Sequence, residues 1–104
     1  MKKENLFKLW AYDAEAKMWA DRKETLTKAD LQMIEKIQKK TESVRAEIHA
    51  FIVEQDDPYI RILLSYRCAD RKTWKEIAQL LGGSAESHRK ALSKFIEEKM
   101  QSGL

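Results

Sequence analysis

A chain of 104 residues, 43% hydrophobic and 36% charged, is one domain's worth of sequence, apolar enough for a core and highly polar elsewhere. Three Gly and one Pro argue for a few long helices and against a sheet protein, which needs a turn every dozen residues or so. The single Cys68 rules out an internal disulfide and fits a reducing cytoplasm. Apolar runs such as Ala50-Phe51-Ile52-Val53 are far short of the roughly 20 residues that span a bilayer. No apolar segment follows Lys2 and Lys3 that could serve as a signal peptide. The expectation is a cytoplasmic protein with no membrane contact.

The net charge of +3 is unevenly placed. Residues 1–56 hold 11 basic and 11 acidic side chains, whereas residues 57–104 hold 9 basic and 6 acidic, so the excess sits in the second half. Such an excess suits a partner with a negative surface without identifying it.

In chain order, a first helix is expected over about residues 3–23. Its large apolar residues Leu6, Phe7, Leu9, Trp10, Tyr12, Met18 and Trp19 make a broad stripe rather than a narrow seam. Thr25-Leu26-Thr27 interrupts it, and Thr27 followed by Asp30 reads as the start of a second helix with Thr27 as its N-cap. That helix, over about 28–55, carries Leu31, Ile34, Ile37, Thr41, Val44, Ile48 and Phe51 at spacings of 3, 3, 4, 3, 4 and 3. This is close to a heptad seam with one polar interruption. Its partner is either the first helix folded back as a hairpin or a second copy of the chain.

Asp56-Asp57-Pro58 ends the long helix and starts the next, with Asp57 as N-cap and Pro58 at the first helical position, where its missing N–H costs nothing. This third helix runs to about Asp70. Ile60, Leu63, Leu64 and Arg67 fall on one face, while Tyr59, Ile62 and Tyr66 cover much of the other, so burial on more than one side is expected.

Two short amphipathic segments follow. Thr73-Trp74-Lys75-Glu76 is a capping box, and Trp74, Ile77, Ala78 and Leu81 then recur at helical spacing with Ile77 and Leu81 facing the core. Gly82-Gly83 stops the helix, since Gly takes left-handed backbone angles cheaply. Ser84 caps a last helix whose buried stripe is His88, Ala91, Leu92 and Phe95. The fold expected is all-α: an N-terminal helical hairpin with one long helix in residues 1–56, then a three-helix helix-turn-helix domain in residues 57–104. A helix-turn-helix lays its second helix in the DNA major groove.

The stretch Arg67-Cys68-Ala69-Asp70-Arg71-Lys72-Thr73-Trp74-Lys75-Glu76-Ile77-Ala78 resembles the Arg-Tyr-x-x-Gly-Lys-Thr-Trp-Glu-Glu-Ile-Ala pattern of phage-encoded regulators. Their C-terminal domain is similar to region four of bacterial sigma factors. The resemblance covers about residues 57–99, and the Thr-x-x-Glu-Ile-Ala core carries most of it. Cys68, Arg71 and His88 depart from the family, which has an aromatic, a Gly and an aliphatic residue there. Arg71 in the left-handed conformation of that Gly would cost about 1 kcal/mol.

The resemblance implies sequence-specific duplex DNA binding in transcription regulation, read by the helix that begins near Ala85. Glu86, Arg89, Lys90 and Ser93 lie opposite its apolar stripe, with Ser84, Ser87 and Lys94 flanking. Arg89 and Lys90 suit guanine edges or phosphates, and Ser84 with the helix N-terminus suits a phosphate. Arg71, Lys72 and Lys75 are placed for backbone phosphates. The N-terminal helices would dimerise or contact another protein, RNA polymerase among the candidates. The alternatives are a phage small terminase subunit, whose elements usually run in the opposite order, and a helical protein-binding adaptor without DNA contact.

No catalytic residue, metal or cofactor is assigned. His49 and His88 have no Cys or His at ligand spacing, and His88 reads as a partly buried core residue with a hydrogen bond. Cys68 reads as a small buried hydrophobe. Gly82-Gly83 lacks the Lys-Ser/Thr that completes a phosphate loop.

Overall fold

The computed structural model describes residues 1–100, and every regular element among them is helical. A 3₁₀ segment, Lys3–Phe7, leads into α1, Lys8–Asp21; α2 is Lys28–Val53, α3 Pro58–Leu64, α4 Trp74–Leu81 and α5 Ala85–Lys99. No strand occurs among the described residues. The last four residues of the 57–104 stretch lie outside the described ones.

Four of the helix starts are fixed by hydrogen bonds that the sequence spells locally. Thr27 and Asp30 form a reciprocal box, each side chain accepting from the other's backbone N–H at 3.2 and 3.0 Å. Thr73 and Glu76 do the same at 3.1 and 3.2 Å. Asp57 accepts from the Tyr59 N–H at 2.9 Å, with Pro58 at N1. Ser84 accepts from the Ser87 N–H at 3.0 Å. Each bond satisfies a donor that a helix start otherwise leaves open, worth about 1 kcal/mol.

α1 packs against α2, and the buried core gathers Leu6, Leu9, Ile48 and Ile52 with Ile60, Leu63, Leu64, Cys68, Ile77, Leu92, Ile96 and Met100. One core therefore draws on both sides of residue 57. In α2, Ile37, Ile48 and Ile52 are buried, and Thr41 satisfies its hydroxyl by donating to the Ile37 carbonyl at 2.8 Å. Leu31, assigned to the seam by its spacing, is 55% exposed. Its two steps of three residues each fall short of a full turn by about 60°, which carries it about 120° around from Ile37.

The third helix is shorter than its sequence suggests. After Leu64 the chain widens into one π-helical turn, Ser65–Ala69, closed by the Asp70 N–H donating to the Ser65 carbonyl at 2.9 Å. Its outer side is less covered than expected, with Ile62 at 38% exposure and Tyr59 and Tyr66 half-buried. Leu81, expected to face the core, is 36% exposed because it closes α4 at the turn. Conversely Ile96, left out of the α5 stripe, is buried beside His88 and Leu92, one further turn along the same line.

Candidate nucleic-acid interface

α4 and α5 are joined by Gly82 and Gly83, both in left-handed conformations with φ of 79° and 71°. A side chain at either position would be strained by its own backbone. A Cβ on Gly83 would also come within 3.5 Å of the His88 ring. That ring is the fastener of the turn. His88 Nε2 donates to the Gly82 carbonyl at 2.6 Å, and Nδ1 accepts from the Tyr59 hydroxyl at 2.6 Å. A carbonyl can only accept, so Nε2 carries a proton, and in the neutral imidazole this leaves Nδ1 as the acceptor. Burial and the nearby Asp57 carboxylate push the Tyr59 phenol above its usual value.

With His88, Leu92 and Ile96 turned inward, the opposite face of α5 is exposed. Glu86, Ser87, Lys90, Ser93 and Lys94 lie on it, Arg89 is exposed along its border, and Ser84 is exposed at its start. This face is internally paired. Glu86 accepts from the Arg89 guanidinium and lies 4.0 Å from the Lys90 ammonium. The Arg89 hydrogen bond holds the Glu86 carboxyl below its usual range, and the same bond raises Arg89. Lys94 lies 4.0 Å from Glu98.

The basic residues around the start of α4 are divided. Lys75 is exposed and Lys72 is half-buried, its ammonium 5.9 Å from the Tyr66 ring centroid. Arg71 adopts the left-handed conformation, with φ of 57°, and its Nε lies 3.2 Å from an Asp13 carboxylate oxygen in α1. Arg45 of α2 approaches the same carboxylate at 3.8 Å. Arg71 thus spends its charge partly on α1 rather than presenting it freely.

Sequence reasoning placed Arg67 on an apolar face and missed its role. Its guanidinium sits between two indoles, 4.6 Å from the Trp10 centroid and 4.9 Å from that of Trp74, and donates to the Lys72 carbonyl at 2.9 Å. A planar cation stacked on two aromatic faces joins α1 to the first residue of α4. Neighbouring Cys68 is fully buried, and burial pushes its thiol up to about 12, against the opposing pull of Arg67. No local pattern signals this clamp, since Trp10 and Arg67 are far apart in sequence.

Among the described residues, no group of three or more His, Cys, Asp or Glu is placed to hold a metal, and no helix is long and apolar enough to cross a membrane. Comparison with known proteins finds no matching family model, curated protein or solved structure.

Proposed function

We propose that the protein binds duplex DNA in transcription regulation, with α4, the Gly82-Gly83 turn and α5 acting as a helix-turn-helix. In this reading α5 enters the major groove from its Ala85 end, and Arg89 and Lys90 reach base edges while Ser93 lines the same face. Ser84, Ser87 and the open amides at the α5 start meet a phosphate, Lys72, Lys75 and Lys94 meet others, and Arg71 does so once it leaves Asp13. Glu86 lies among them as a charge that DNA must displace or a cytosine amine can satisfy.

The observation that carries the reading is the α5 face itself. A capped helix, held to the preceding one by a left-handed turn and a buried imidazole, exposes two adjacent cations outside its core stripe. Origin in a phage or prophage is suggested by the resemblance of residues 67–78 alone.

The test is fluorescence anisotropy with random duplex and then with sequences selected from a random pool. Binding should weaken steeply with salt, because each neutralised phosphate releases counterions. An Arg89→Ala, Lys90→Ala double variant should lose the selected site while keeping wild-type helicity. A wild-type protein that binds no duplex at low salt would remove the proposal.

A further inference from the structure

Between the end of α2, the start of α3 and one flank of α5 lies an open cleft of about 490 Å³, within the size range of ligand pockets. Its floor is apolar. Ile60 is buried, Ala91 and Phe95 are half-buried, and Phe95 leans on Phe51 with ring centroids 6.4 Å apart. Its lip is acidic: Glu54, Asp56 and Asp57 are exposed, and none of them takes an ion pair among the described residues. From α5 come Lys94 and Glu98, 4.0 Å apart, and Lys99. With Glu98 set against Lys94, the three lip carboxylates outnumber the remaining ammonium of Lys99. In a chain of net charge +3 this cleft is a negative region.

The lip is held by bonds of its own. Gln55 Nε2 donates to the Phe51 carbonyl at 3.0 Å, and the Arg61 guanidinium donates to the Gln55 carbonyl at 2.6 Å. The Asp57 carboxylate is fixed by accepting from the Tyr59 N–H at 2.9 Å. A ligand therefore meets a set loop, and little ordering accompanies its binding.

We propose that this cleft takes a segment of a partner protein in which an apolar side chain stands beside Arg or Lys. The apolar side chain covers Ile60, Ala91 and Phe95, and its basic neighbour reaches the carboxylates of the lip. Floor and lip together select this occupant. Nucleic acid and anionic lipid are repelled by the carboxylates. A polyamine would satisfy the lip and leave the apolar floor in water. The carboxylates stand as separate points around a rim, since among the described residues no three metal-ligating side chains come together. They suit a cation at the end of a long side chain. Arg fits better than Lys, because a guanidinium binds carboxylate through two donors and lies flat on an aromatic ring such as Phe95. The inference stands apart from DNA binding. On the α5 projection Ala91, Phe95 and Glu98 fall on one flank of the buried line, and Arg89 and Ser93 on the other.

A yeast-displayed library of random heptapeptides, selected on the wild-type protein without DNA, tests this. Enriched peptides should carry Arg or Lys within about two positions of a Leu, Ile, Met or aromatic residue. A labelled copy of one should bind the Glu54→Lys, Asp56→Lys double variant about tenfold more weakly. Both positions are exposed and Lys suits a helix C-terminus, so the double variant should keep wild-type circular dichroism. Exchanging the peptide's basic residue for Glu should abolish binding to the wild type and restore it to the double variant. Exchanging its apolar residue for Ser should also weaken binding about tenfold, which charge attraction alone does not explain. Amide shifts on titration should centre on Asp56, Ile60, Ala91 and Phe95. A library without enrichment overturns the proposal, as do amide shifts centred elsewhere or binding that the double variant leaves unchanged. Enrichment in basic residues alone overturns it in favour of a polycation.

Discussion

The imidazole of His88 lies 2.6 Å from the carbonyl of Gly82, so the second helix of the α4–α5 unit grips the turn that precedes it. The opposite ring nitrogen takes the Tyr59 hydroxyl at 2.6 Å, which ties the same residue to α3. One buried side chain thereby fixes the position of three elements, and the angle at which α5 leaves the turn depends on it.

Removing either side of this chain should be visible in stability. Tyr59→Phe leaves the buried Nδ1 of His88 without a donor, and His88→Leu leaves the Tyr59 hydroxyl without an acceptor. Each should cost about 1–2 kcal/mol in urea denaturation. The double variant should cost clearly less than the two together, since the Tyr59–His88 bond is lost in both while the His88–Gly82 bond is lost only with His88. The raised Tyr59 phenol adds a sign. Above pH 10, the ordinary value of a tyrosine, the unfolded chain releases this proton before the folded one does. Stability should therefore fall as pH rises through that window, and Tyr59→Phe should reduce the slope there.

The helix starts were legible because a cap is a local device: Thr27, Asp57, Thr73 and Ser84 each bond a backbone within three residues. The same holds for Gly82 and Gly83, whose adjacency announces a left-handed turn. Leu31 misled because a spacing of three matches a seam only when a spacing of four soon corrects it. The contacts that organise the candidate site were not legible. Tyr59 with His88, Asp13 with Arg71 and Trp10 with Arg67 each join segments far apart in the sequence. Arg71 was half-readable: the Gly of the resembling pattern raised a left-handed backbone there as a condition, which φ of 57° meets, whereas its ion pair with Asp13 required the fold.

The Trp10–Arg67–Trp74 stack should tolerate charge conservation poorly. Lys keeps the cation but loses the plane that lies on two indoles and the fork that reaches the Lys72 carbonyl. Arg67→Lys should destabilise by about 1–2 kcal/mol and Arg67→Ala by about 2–3 kcal/mol, from the two stacking contacts and the lost hydrogen bond. Tryptophan emission should shift in both variants as the indole faces open to water.

Arg71 couples backbone strain with an ion pair, and substitution separates them. Arg71→Gly removes a left-handed penalty of about 1 kcal/mol together with a partly exposed pair to Asp13 worth about 1 kcal/mol. Its Tm should stay within a few degrees of the wild type. Arg71→Ala keeps most of the strain and loses the pair, so it should be the less stable of the two by calorimetry. In the DNA-binding reading both should reduce the slope of log affinity against log salt by about one unit. An unchanged slope would confine Arg71 to its contact with α1.

Glu86 restrains the face it shares with Arg89 and Lys90. Its carboxylate accepts from one and lies near the other, so a phosphate or a guanine edge must compete with it for both cations. Glu86→Gln removes the negative charge, leaves a side chain of similar size, and disturbs no buried group. Affinity for random duplex should rise severalfold at low salt, and the gain should shrink as salt screens the lost repulsion. Affinity for a selected site should rise less, or fall if Glu86 accepts from a cytosine amine in that site. Comparing the two duplexes in one anisotropy series therefore separates a brake on nonspecific binding from a base contact. An equal gain on both would leave Glu86 as a brake only, and no gain on either would place α5 outside the DNA contact.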